Sequence, residues 1–193
     1  MCIPVGFATL GDMKAAELKT ALKSRLDEHP EATRIRLHRA TSWLSRAEQE
    51  SDDPDAAFIF LWIAFNAAYA KQFGFESTER ETLQSFIDTL VKVDSNKHLN
   101  SAVFSQFTGP IRVLIENKFV FEPFWKALRD HDSSNRWKTQ FEDSNQRAFG
   151  AVMASRTEVV LAIVFERLYV LRNQLVHGGA TWNSNLNRAQ VLD

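Results

Sequence analysis

The chain has 193 residues, 45% hydrophobic and 24% charged, with 7 Gly and 5 Pro; this globular profile can fill a sizeable core and excludes a disordered or fibrous chain. A formal net charge of −1 gives no overall attraction for polyanions, so nucleic-acid contact would have to come from a local basic patch. The single cysteine, Cys2, rules out an internal disulfide and a thiolate metal cluster and fits a cytoplasmic setting.

The first ten residues lack the basic start and long apolar core of a secretory signal. From Asp12 to Glu28, Ala15, Leu18, Leu22 and Leu26 recur at steps of three and four, which predicts a surface helix. After His29-Pro30 a second helix is expected to about Glu50. It should turn Ile35, Ala40, Trp43, Leu44 and Ala47 inward and Arg34, His38, Arg39 and Arg46 outward as a locally basic face.

Ser51-Asp52-Asp53-Pro54 reads as a helix start, since an Asp side chain caps free N–H groups and proline is tolerated in the first turn. That third helix should run to Phe73 and stop at Gly74, apolar on nearly every side and therefore central. Thr78-Glu79-Arg80-Glu81 has capping-box spacing, and Leu83, Phe86, Ile87, Leu90 and Val91 predict the helix behind it. Between Asp94 and Gly150, Gly109-Pro110 and Pro123 interrupt the apolar groups. Two or three short helices and a polar loop at Asp130–Asn135 are expected there, as an insertion or elaboration.

The longest helical pattern covers Ser155 to His177 and is stopped by Gly178-Gly179 as a left-handed cap. No segment alternates like a strand, so the expectation is an all-α fold in a single domain, 1–193. The greasiest stretches, Ala56 to Ala70 and Val159 to Leu171, fall short of the roughly 20 residues that span a bilayer, and no membrane association is expected. The final Gln190-Val191-Leu192-Asp193 reads as the opening of a further helix.

On that last long helix, about 100° per residue gathers Leu161, Phe165, Leu168, Leu171 and Leu175 on one side, expected to face the core. Glu166, Asn173 and His177 fall opposite, sharing their face with Val159, Ile163 and Val170. A half-apolar, half-polar face of this kind suits a symmetric dimer interface better than open water. Arg172 and His177 stand roughly 140° apart on an ideal helix. They meet either if the helix end unwinds at Gly178-Gly179 or if a two-fold axis sets one copy's pair against the other's; the second also uses the apolar face.

An arginine fork neutralises a phosphate, and an imidazole exchanges protons in both directions near neutral pH. Together they suffice for cleavage of RNA by its own 2′-hydroxyl, with Arg172 stabilising the transition state and His177 as acid or base. The plainer alternatives are that His177 complements the helix C-terminal carbonyls, that Arg172 pairs with a core acid or Asn66, and that the whole chain is a structural scaffold. His29, His38, His98 and His131 show no ligand spacing, so neither a metal nor a cofactor is expected. No phosphate-cradling glycine loop, nucleophile elbow or kinase signature is present.

Arg172-Asn173-x-x-x-His177 resembles the R-x4-6-H motif of the HEPN superfamily, in its letters and in its place at the end of a late core helix. The greasy segment from Phe60 to Tyr69, with Asn66 as its interior polar group, resembles that family's earlier core helix. The resemblance implies a dimerising helical bundle with additional short helices and a composite cleft. It also implies a metal-independent endoribonuclease in a toxin or antiviral-defence role, with RNA and an antitoxin protein as partners and Arg172, His177 and Asn173 as catalytic residues. The alternative it leaves is a non-catalytic module holding RNA, a nucleotide or a protein.

Overall fold

The computed structural model describes residues 14–69 and 79–183, and among these all regular structure is helical, as expected. The chain divides into two compact units, Met1–Gly74 and Phe75–Asp193. Cys2, the helix stop at Gly74, the capping residue Thr78 and the tail from Gln190 to Asp193 lie outside the described residues. No described helix is long and apolar enough to cross a membrane.

The first unit contains α1 (Ala15–Lys23), α2 (Glu31–Ala47) and α3 (Pro54–Tyr69). The first helix is shorter than its apolar spacing predicts and gives way to a 3-10 turn at Leu26–Glu28. The Asp53 carboxylate accepts the Ala56 N–H at 3.0 Å just ahead of Pro54, so the cap forms as read from the sequence. Between α2 and α3, Trp43 stacks on Phe60 with ring centroids 5.7 Å apart, and the Arg46 guanidinium sits 4.7 Å from the same ring. Because that stack lies at the margin, Trp43 stays 38% exposed rather than facing fully inward, as does Ile35 at 36%. Likewise Leu61 is 46% exposed, so α3 is not enclosed on every side. Arg34, His38, Arg39 and Arg46 do form an exposed basic face.

The second unit contains α4 (Glu79–Val93), α5 (His98–Ser101), α6 (Thr108–Glu116), α7 (Glu122–Arg129), α8 (Arg136–Met153) and α9 (Thr157–Val176). A π-helical turn, Ala102–Gln106, joins α5 to α6, and a 3-10 turn, Lys118–Val120, joins α6 to α7. Pro110 and Pro123 fall in the first turns of their helices, where a missing N–H costs nothing. Asp94 accepts the N–H groups of His98 and Leu99, both at 2.8 Å, and so starts α5. In the polar loop before α8, Asp132 accepts from the Ser134 N–H at 2.8 Å.

Helix α9 is the axis of this unit, packed by α4, α6 and α8. Ile163 is buried with Ile115 and Ala148, and Val160 with Val103 and Ala151. The stretch expected as an elaboration therefore supplies core residues from α6 and α8. The buried stripe of α9 runs through Val160, Ile163, Arg167, Val170, Leu171 and Gln174. It lies roughly a third of a turn from the predicted one. Leu161, Phe165 and Leu168, expected in the core, are half-buried and line an apolar groove of about 260 Å³ with Phe107, Pro110 and Ile111. Conversely, Ile163 and Val170, expected on the dimer face, are buried within the unit. Two polar residues on the true stripe, Arg167 and Gln174, lower its apparent hydrophobicity and shift the sequence pattern toward the leucines.

Candidate functional site

The C-terminus of α9 is set by its two glycines for different reasons. Gly178 has φ 70°, a left-handed conformation that most side chains resist. Gly179 lies so close to the helix that a Cβ there would meet the Gln174 Cα at 3.3 Å. The returning chain lets the Ala180 N–H donate to the Gln174 carbonyl at 3.0 Å. His177 follows the last helical residue, its own N–H bonded to the Asn173 carbonyl at 3.0 Å and its side chain exposed.

Beside this turn lies a cleft of about 570 Å³ between α7 and α9. From α9 it is lined by Tyr169, Asn173 and His177, and from α7 by Glu122, Trp125 and Arg129, with Val170 and Gln174 deeper between them. The two walls are joined through one backbone oxygen. The Phe119 carbonyl accepts from Trp125 Nε1 at 2.7 Å and from Gln174 Nε2 at 2.5 Å. Trp125 also meets Phe124 edge to face, with centroids 5.2 Å apart. An indole fixed at its nitrogen and its edge is a rigid wall.

Of the three residues nominated from the sequence, Asn173 and His177 line this one cleft, whereas Arg172 is not among its lining residues. Arg172 is half-buried, with its guanidinium carbon 4.6 Å from the centroid of the Tyr169 ring. Arg172 therefore stands against one of the cleft's aromatic side chains, held by the attraction of a cation for a π face.

The sequence pattern does not single out the residues of α7. Glu122, Trp125 and Arg129 are three and four positions apart and so share one helical face, a signal visible in the sequence. What the sequence does not carry is that this face meets the end of α9. Nor does it single out Arg167, which is only 1% exposed. Its guanidinium lies 4.3 Å from the Phe121 ring and 5.5 Å from Phe141, and donates to the Ser144 hydroxyl at 3.0 Å. Its Nε has no hydrogen-bond partner. Burial is the main reason that its pKa falls to about 10; the Glu166 charge opposes the shift and Arg147 adds to it.

A second cleft, about 530 Å³, lies on the α4 side of α9 and is lined by the carboxylates Glu81, Glu158 and Glu166 against the single cation Arg147. A polyanion would be repelled there. Among the described residues no group of three His, Cys, Asp or Glu is arranged to hold a metal ion. Compared with protein-family models, curated proteins and solved structures, the chain matches none.

Proposed function

We propose that this protein is a metal-independent endoribonuclease of the HEPN type that cuts single-stranded RNA at the cleft beside the end of α9. The observation that carries the reading is the convergence of an exposed imidazole, His177, and an amide, Asn173, on a cleft that also holds an arginine and two aromatic rings. Those groups match what phosphodiester transfer needs. His177 takes the proton of the ribose 2′-hydroxyl, whose oxygen attacks the adjacent phosphorus. The bond to the 5′-oxygen breaks, that oxygen takes up a proton from water while the His177 imidazolium returns its own to solvent, and the products are a 2′,3′-cyclic phosphate and a 5′-hydroxyl. Asn173 orients a phosphate oxygen or the imidazole.

Arg172 enters this reading as the charge that stabilises the transition state, reaching the phosphate from beside Tyr169 or from a second copy across a two-fold axis. Ile163 and Val170 are taken up inside the unit, so a homodimer on the expected face would rest on Val159, Glu166, Asn173 and His177. The groove along Leu161, Phe165 and Leu168 is a second apolar surface on the same helix. An antitoxin protein that covers the cleft belongs to the same proposal.

The test is cleavage of varied RNAs in EDTA, with wild type, Arg172→Ala and His177→Ala compared at equal oligomeric state and with analysis of product ends. Cyclic-phosphate products from wild type and a rate about 10²- to 10⁴-fold lower in His177→Ala are expected. The absence of Arg172 from the cleft lining favours a second reading, an RNA-binding module that does not cut. A folded wild type that binds RNA and leaves it intact would select that reading.

A further inference from the structure

We infer that Arg129, on the cleft wall, holds the RNA phosphate in the bound strand, leaving to Arg172 only the charge that develops in the transition state, and that Trp125 is the wall on which a neighbouring base stacks. This rests on the reading of the cleft as an RNA site and says which groups receive the strand.

The α7 wall is electrically ordered. Glu122 stands in the first turn and Arg129 in the last, with Trp125 between them on the same face. Seven residues of helix separate the charges by roughly 10 Å along the axis. A phosphate is attracted at the Arg129 end, while the flat ring beside it fits a base. Arg129 is exposed and makes no ion pair among the described residues, unlike Arg46, paired with Glu50, and Arg112, 3.0 Å from Glu116. Its fork is free to take a phosphate. Arg172, by comparison, lies against the Tyr169 ring and does not line the cleft. Trp125 is already immobilised by its bond to the Phe119 carbonyl and its contact with Phe124, so stacking costs it little further freedom.

Arg129 in the last turn also complements the helix dipole of α7. That role appears in thermal stability, whereas a phosphate contact appears in the salt dependence of binding. The experiment is fluorescence anisotropy of a labelled 2′-O-methyl RNA 8-mer, which cannot be cut, against the full chain across a series of salt concentrations. Arg129→Ala should weaken binding about tenfold and flatten the slope of log Kd against log salt by about 0.7, the loss of one phosphate contact on a single strand. Trp125→Leu should weaken binding about 5- to 100-fold with the slope unchanged. Trp125→Phe, which keeps a ring, recovers most of that loss and serves if the leucine variant misfolds. Arg112→Ala, away from the cleft, should change neither quantity.

An unchanged slope in Arg129→Ala, or wild type that binds no RNA, overturns the inference. Wild type that binds with the Arg129-dependent slope yet produces no cyclic-phosphate ends overturns only the nuclease reading. Cleavage that persists at full rate in Arg129→Ala overturns only the inference.

Discussion

The middle of α9 and its C-terminal turn each carry a cationic or ionisable side chain among leucines and valines, and the two are used in opposite ways. Arg167 is sealed against Phe121, Phe141 and Ser144, whereas His177 stands exposed at the edge of a cleft with Asn173, Arg129 and Glu122. The contrast teaches that a polar residue on a greasy helix is not in itself a sign of a site. Chemistry needs a group that is reachable and has others converging on it; a caged cation instead holds helices in register.

The largest effect that bears on this contrast is expected at Arg167→Ala. Removing the guanidinium empties the space between Phe121 and Phe141, and loss of about 2–5 kcal/mol is expected from the cavity, read by urea denaturation. A loss below about 1 kcal/mol would show that the cage collapses freely and that Arg167 does not order α8 against α9.

Arg167→Met fills the same space without the charge. Because a buried cation without a carboxylate partner is costly, this variant should match wild type or exceed it by about 1–4 kcal/mol at neutral pH. The pH dependence follows from the lowered pKa. Between about 10 and the ordinary arginine range the unfolded chain keeps a proton that the folded chain has lost, so wild-type stability gains relative to the variant as pH rises. The advantage of Arg167→Met should be full at pH 8 and shrink above about 10. A difference that stays flat from pH 8 to 11 would place the cost elsewhere.

The smallest effect is expected at the other end of the contrast. His177→Ala should shift stability by less than about 1 kcal/mol, since the imidazole is exposed and at most complements the helix end. A drop of several degrees in Tm in that variant would make His177 a folding residue and erase the distinction.

The helical class, the Asp53 cap, the polar loop before α8 and the Gly178 stop were legible because each depends on neighbours within one turn of chain. The facing of α9 was not. A count of apolar residues finds Leu161, Phe165 and Leu168 and misses a stripe in which Arg167 and Gln174 are buried, because their partners, Ser144 and the Phe119 carbonyl, lie far away in the chain. The same limit applies to the candidate site. Asn173 and His177 share a helical face that the sequence reveals, while Glu122, Trp125 and Arg129 join them only through the packing of α7 on the loop before it.

The bond from Trp125 to the Phe119 carbonyl has a consequence for what the cleft is able to read. An indole has one hydrogen-bond donor and no acceptor, and here that donor is spent on the backbone. Toward a visitor the ring offers shape and polarisability and no alphabet, so it accepts every base that is flat. Any preference for one letter over another has to be written by the polar side chains around it, such as the Asn173 amide and the Tyr169 hydroxyl, which can tell a donor edge from an acceptor edge.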